Sequence, residues 1–366
     1  MRANVTVGAD GSASSLDAVV WAARDAEARS LGLRVVHVLA RPLGLPLDAA
    51  LPRTVREYVR EAADAVVQEA ADRARDEAPG IEISTLVLPG EPVGVLSAQS
   101  RTTEAVVIGH GGPTPFARPL SGGTALGIVA RAACPVVVVR RAEASAGPVV
   151  LGVDGSPAGA AAVRFAFDQA SVQGARMMAL HAWTTWNAPL PPPQDPSEAY
   201  ACAPGVLASE EERLLAEALA GMRTRYPDVK VERRSVHGPT RPALIEASRD
   251  ARLMVVGSRG RGGFAGLLLG SVSQAVLQHA HCSVAVVGGD RSDRHGGMEI
   301  QVTEGRSHGG QGDGQGPGPD ALRGSPGRAL PGGEPPRRPE AAATGRGSRK
   351  PPSCTNPLRT TSPGPR

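Results

Sequence analysis

Residues 149–156 restate residues 5–12. Val149-Val150-Leu151-Gly152-Val153-Asp154-Gly155-Ser156 follows Val5-Thr6-Val7-Gly8-Ala9-Asp10-Gly11-Ser12 at a distance of 144 positions. His181 stands at that same offset from His37, each inside an apolar run. Later landmarks recur at 148: Gly257 after Gly109, and Cys282-Ser283-Val284 after Cys134-Pro135-Val136. A chain that repeats itself over about 145 residues folds as two copies of one domain. The change of offset places a few inserted residues between the landmarks, and the Pro-rich stretch from Pro189 to Pro204 is where they are expected.

Each copy alternates short apolar runs with helical patterns. In the first, strands are expected at Val5–Gly8, Leu33–Leu39, Ile81–Leu88, Ala105–Gly109 and Pro135–Arg140. Helices are expected over about 14–31, 53–78, 92–101 and 124–133. In the second half, Ser209-Glu210-Glu211-Glu212 has the form of a capping box and is expected to open a long helix. Strictly alternating strands and helices give a parallel sheet with right-handed crossovers. The strands are Val/Ala/Leu runs, and aromatic residues make up only 3% of the chain, which suits a sheet buried on both faces. The last strand of each copy is a valine-rich edge, which favours pairing of the two copies as a pseudo-dimer.

Charge narrows the function classes. The formal net charge is +4, but residues 289–366 hold 12 Lys/Arg against 8 Asp/Glu, and the remaining residues hold 28 of each. The basicity belongs to the C-terminal stretch, the repeated body is neutral, and nucleic acid is not an expected partner. Cys134, Cys202, Cys282 and Cys354 have no ligand spacing, which suits a reducing cytoplasm and argues against a disulfide framework or a zinc site. No charged segment followed by an apolar run opens the chain, so no signal peptide is expected. No apolar run approaches the roughly 18 residues that cross a bilayer. Residues 289–366 are rich in Gly, Pro and Arg, lack aromatic residues and show no apolar periodicity. They are expected to be disordered, as an appended linker-like tail or an off-frame extension.

The stretch that carries chemistry runs from Val255 to Ser273. Leu253-Met254-Val255-Val256 is an apolar strand ending in Gly257; Gly260 follows after two residues, Gly270-Ser271 after nine more, and then Val272-Ser273-Gln274-Ala275-Val276 begins a helix. Strand, glycine-rich loop and helix start form a phosphate cradle. The first N–H groups of a helix lack internal partners, the helix dipole is positive there, and glycine lets backbone approach an oxyanion. No Gly-Lys-Ser/Thr closes the loop, and the spacing is not that of a dinucleotide fingerprint.

The Gly-x2-Gly-x9-Gly-Ser spacing, the Asp-Gly-Ser strand ends, the two histidines and the Cys-x-Val strand starts together resemble tandem members of the ATP-binding branch of the universal stress protein family, over about residues 3–288. The resemblance implies an α/β fold of two tandem Rossmann-like domains, residues 1–142 and 147–288. Each would be a five-stranded parallel sheet with helices on both faces and a crevice at the carboxyl ends of its first and fourth strands. It implies that Asp154, with Gly155, bonds the ribose or lies near the phosphates. Main chain at Ala182, and at Val38 in the first copy, would hold adenine. Gly257, Gly260, Gly270, Ser271 and Ser273 would form the phosphate loop, with Arg259 either touching phosphate or solvated. The ligand implied is ATP with magnesium or manganese, in a stress-adaptation or signalling protein able to form a homodimer.

In the first copy the matching positions are Asp10, Gly109, Gly112, Gly122, Gly123 and Thr124. Gly123 stands in place of Ser271 and Ala125 in place of Ser273, so two hydroxyls are lost. Pro113, Pro115 and Pro119 stiffen the loop and remove N–H donors. The first site is expected to be the weaker one or empty. His37 and His181 read as structural histidines, and no catalytic constellation or protein metal-ligand set is visible. Two other readings stay open: a slow ATPase or other nucleotide-dependent enzyme on the same crevice, and an interaction module whose glycines serve packing alone.

Overall fold

The computed structural model describes residues 3–40, 52–111, 123–140, 146–184, 204–260 and 269–288. The expectations for the Pro-rich stretch beginning at Pro189, for Gly112 and Gly122, and for the tail at 289–366 lie outside the described residues, apart from Pro204. The described residues belong to one compact unit.

The first half runs β1 (Asn4–Gly8), α1 (Ala13–Ala28), β2 (Gly32–Ala40), α2 (Arg53–Glu77), β3 (Ile83–Gly90), α3 (Pro92–Gln99), β4 (Ala105–Gly109), α4 (Gly123–Arg131) and β5 (Val136–Val139). The second half runs β6 (Val149–Gly152), a 3-10 turn over Pro157–Gly159, α5 (Ala160–Val172), β7 (Met177–Trp183), α6 (Pro204–Ala218), α7 (Met222–Arg225), β8 (Val231–His237), α8 (Thr240–Ala247), β9 (Leu253–Gly257), α9 (Ser271–His279) and β10 (Ser283–Val287). The local reasons are visible at the caps. Ser12 closes the first turn of α1 by accepting from Ser15 N. Glu91 does the same for α3 by accepting from Gly94 N, with Pro92 in the first helical position.

Ser209 does not open the long helix of the second half; α6 begins at Pro204, whose missing N–H is not needed in a first turn, and Ser209 lies inside it. The helical pattern also breaks after Ala218, and Gly221, at φ 75°, separates α6 from α7.

The strand order is β3-β2-β1-β4-β5-β10-β9-β6-β7-β8 in one ten-stranded sheet. Every described pair is parallel except β5 with β10, which run antiparallel with Val138 opposite Val284, Val137 opposite Ala285 and Val136 opposite Val286. The two valine edges therefore close on each other, and a pseudo-twofold axis relates the halves. Burial explains the pairing. Val136–Val139 and Val284–Val287 are all at most 3% exposed, and a fully buried valine is worth about 1.5–3 kcal/mol relative to an exposed one.

Alternation along these strands divides the core in two. Val137, Val139, Ala285 and Val287 belong to a cluster with Trp21, Ala22, Phe167 and Leu215, under α1, α2, α5 and α6. Val136, Val138, Val284 and Val286 belong to another with Leu96, Ile128, Leu244 and Val276, under α3, α4, α8 and α9. Both clusters cross the junction without a break. A polar link joins the halves as well: Gln169 Nε2 donates to Asp25 Oδ1 at 2.8 Å, and Arg29 bridges Asp25 and Asp168. Burial works against the charge on Arg29, but the two carboxylates outweigh it and raise its pKa above the ordinary guanidinium value. No described helix is long and apolar enough to cross a membrane.

Candidate functional site

In each half the strand order reverses direction next to the first strand. From there the chain leaves β6 for α5 on one face of the sheet, and leaves β9 for α9 on the other. In open α/β sheets ligands bind at such a switch point, at the carboxyl ends of the two strands. In the second half the segments that lie there are the turn after β6 and the turn after β9.

Asp154 stands on the first of these turns. Its Oδ1 accepts from Ser156 N at 3.0 Å and from Ser156 Oγ at 2.8 Å. Gly155 turns the chain at φ 69°. Gly260 stands on the second, and a Cβ placed there would lie 2.5 Å from Asp154 Oδ2. Two segments more than a hundred residues apart thus meet at a point where only a glycine leaves room for the carboxylate. The loop is tied down behind this contact. Ser258 N donates to Val287 O at 2.7 Å, Gly270 N to Ser258 O at 2.8 Å, and the Ser273 hydroxyl to Gly257 O at 2.6 Å. Gly270 is extended at φ −72° and ψ 150°, and among the described residues no side chain caps the N-terminus of α9. The structure therefore brings together Asp154, Gly257, Gly260, Gly270 and Ser273 around a helix start whose first donors are uncapped, with Ser271 and Arg259 exposed beside them. Ser273 is 4% exposed and spends its hydroxyl on Gly257 O, so it holds the loop together.

Ala182 is buried on β7, and its carbonyl accepts from Thr240 Oγ1 at 3.2 Å. Val38 occupies the corresponding stretch of β2, opposite Leu88 of β3. His37 and His181 both turn Nδ1 to a backbone carbonyl, Ala9 O at 2.8 Å and Val153 O at 2.7 Å. They differ at the other nitrogen: His181 Nε2 meets Glu211 Oε2 at 2.6 Å, with both side chains buried. Sequence reading passed over Glu211, one of three successive glutamates, because only the phase of α6 shows which of them turns inward. It passed over Ser156 as well, although a serine two residues after an aspartate is a turn signal that makes this bond.

The first half has a different arrangement. Asp10 Oδ1 accepts from Ser12 N at 3.0 Å and from the Ser12 hydroxyl at 2.5 Å. Burial tends to raise the Asp10 carboxyl, but the bonds from Ser12 and Ser15 prevail and hold it below the usual carboxylate value. Across the gap, Ser14 Oγ donates to Gly111 O at 2.7 Å, and a Cβ on Gly109 would lie 2.5 Å from Ser14 O. The corresponding position of the second half is Ala158, which has no hydroxyl to make this latch. α4 begins at Gly123, followed by Thr124.

A basic pair also marks the first half. Arg140 Nη1 donates to His110 Nε2 at 2.6 Å and Nη2 donates to Leu277 O at 2.7 Å. The second half has Ser258 and Gly288 at these positions. Arginine only donates, so His110 accepts at Nε2 and its ring is neutral. Burial, and then the Arg140 charge, hold its pKa below the usual 6.5. A base with a lowered folded pKa favours folding above the unfolded value and loses that contribution as pH falls through the folded one. The thermal midpoint is therefore expected to fall as pH drops below about 6.5, and His110→Gln is expected to flatten that slope. Superimposable pH profiles of midpoint would contradict it. Cys282 is a spectator: burial lifts its thiol to about 11, so it stays protonated.

Comparison with known proteins agrees with this architecture. The model of the universal stress protein family matches twice, over residues 1–140 and 146–288. Universal stress protein Rv1996 of Mycobacterium tuberculosis is 38% identical over 303 residues, covering 77% of this chain and 94% of that protein. A universal stress protein of Mycolicibacterium smegmatis is 38% identical over 294 residues, covering 77% and 96%. The crystal structure of a universal stress protein from Archaeoglobus fulgidus shares the fold, with a TM-score of 0.57 and 19% identity over 78% of this chain and 97% of that one. The chain belongs to the universal stress protein family and carries its domain twice in tandem.

Proposed function

We propose that this chain binds an adenine nucleotide, ATP, in the crevice of its second half and acts as a nucleotide-responsive stress-adaptation protein. The observation that carries the reading is the meeting of Asp154 with Gly260 at the uncapped start of α9. A carboxylate accepts from the hydroxyls of a ribose, and N–H groups in the first turn of a helix donate to phosphate oxygens, with Ser271 as an added donor. By the family resemblance, main chain at Ala182 would hold adenine there, as Val38 would in the first half. In the first half, Asp10, Gly109, Gly123 and Thr124 keep part of the pattern. The Ser14–Gly111 latch and the missing hydroxyls support a weaker site there.

Magnesium or manganese fits this crevice only as a companion of the phosphates. Asp154 offers one carboxylate, and among the described residues no cluster of three or more His, Cys, Asp or Glu is placed to hold a metal. That is the usual situation of magnesium bound through a carboxylate and substrate phosphates, where it neutralises phosphate charge.

Calorimetric titration of the full chain with ATP tests the reading. One dominant site in the micromolar range, about −8 kcal/mol, is expected. Absence of binding would make the glycines packing residues and the chain an interaction module. Steady ATP turnover well above that of Gly270→Val would favour an enzyme.

A further inference from the structure

We infer that Glu211 and His181 are positioning residues of the second-half nucleotide site, a buried pair that fixes the backbone from which Asp154 leaves β6. The inference rests on the nucleotide reading above and deepens it.

The bond from His181 Nδ1 to Val153 O at 2.7 Å fixes one proton: a carbonyl only accepts, so Nδ1 carries its hydrogen and donates. The contact of Nε2 with Glu211 Oε2 at 2.6 Å needs another. A neutral ring already protonated at Nδ1 would face an ionised carboxylate acceptor to acceptor. The pair therefore holds one proton between Nε2 and Oε2, and the two side chains, 5% and 3% exposed, leave water little part in that bond. Each member keeps the other in place, because a buried polar group without its partner is expensive.

The far end of this chain of bonds is the site. Val153 N donates to Leu180 O at 2.9 Å, so both backbone groups of Val153 are tied to β7, one by main chain and one by His181. Asp154 is the next residue. Its carboxylate is held from ahead by Ser156 and from behind by this tether, at a place where Gly260 leaves no room for a methyl group. Small displacements of a functional group that is so confined are costly. Leu207, which packs with Trp183, fixes the same face of α6 one turn before Glu211. The first half supplies the comparison. His37 makes the carbonyl bond to Ala9, but the position matching Glu211 is Ala63, so the tether there ends at the imidazole.

The test measures ATP affinity and thermal midpoint of the full chain side by side. Glu211→Met keeps the volume and removes the bond; it is expected to weaken ATP about tenfold, the low end of what partners one step behind a site contribute at metal centres. Glu211→Gln can donate its amide to a neutral His181 and is expected to stay within about threefold of the unmodified chain. In an Asp154→Ala background, Glu211→Met is expected to add no further loss, because both act through one carboxylate. If Glu211→Met does not fold, Glu211→Asp, which shortens the arm by one methylene, is expected to show the same affinity loss. A lowered midpoint with unchanged affinity, or losses that multiply in the double variant, would overturn the inference and leave nucleotide binding intact. No ATP binding by the unmodified chain would overturn both.

Discussion

Asp154→Ala is expected to weaken ATP binding by about 10–150-fold while leaving the fold intact, since a hydrogen bond to a charged group is worth about 1.5–3 kcal/mol. Asp154 lies where two segments meet that the sequence supplies separately, and it is the carboxylate on which they converge. Its removal also frees Ser156 N and Oγ, at about 1 kcal/mol, comparable to the loss of a helix cap. Gly260→Ala is expected to give a loss of the same order by a different route. A Cβ 2.5 Å from Asp154 Oδ2 forces the carboxylate aside, and Ser156 opposes that movement. Asp10→Ala serves as the control in the first half, where Ser14 of α1 bonds Gly111 O. Its effect on the dominant ATP site is expected to be under about twofold, that is, below 0.5 kcal/mol. Titration calorimetry on the three variants decides. Equal losses for Asp10→Ala and Asp154→Ala would remove the distinction between the halves, and unchanged affinity for Asp154→Ala would remove the carboxylate from the site.

Phe167→Ala is expected to destabilise both halves at once, by about 3–5 kcal/mol. Phe167 is fully buried on α5, its ring 5.7 Å from that of Tyr226. It belongs to the core cluster that also holds Trp21, Val5 and Val107 of the first half. Because that cluster and its counterpart on the other face continue across β5 and β10, the halves share one hydrophobic interior. The reporter for this experiment is Trp21 as the sole tryptophan, with Trp183 and Trp186 changed to phenylalanine. Its unfolding transition is expected to move down together with far-ultraviolet ellipticity, by about 10 °C at about 2–4 °C per kcal/mol for a chain of this size. A Trp21 signal that stays in place while part of the ellipticity is lost earlier would mean that the halves unfold separately.

Much of this molecule is legible before any tertiary information. The strand runs, the helices of the first half and the order of elements follow from apolar periodicity, because period and flanking turn residues are local properties. The glycine spacing after Val256, on which the proposed phosphate loop rests, is legible for the same reason. The N-terminus of α6 was misplaced because Ser209-Glu210-Glu211-Glu212 satisfies a capping rule at a place where the helix already exists. A local signal cannot report that a proline five residues earlier has started the helix.

The sequence by itself determined that there are two homologous α/β domains and that their sheets are parallel, and it singled out Asp154 and the glycine-rich stretch after Val256 as the candidate ligand site. Tertiary structure decided how these parts meet. The valine runs of β5 and β10 carry no mark of register or direction, since one valine packs as well as the next; the twofold relation of the halves makes the pairing antiparallel and joins ten strands into one sheet. Of three successive glutamates, only the packing of α6 over β7 selects Glu211 as the partner of His181. The closeness of Asp154 to Gly260 has the same origin. It is a relation between two strand ends, set by which strands are neighbours, and periodicity within a segment contains no information about its neighbours in space.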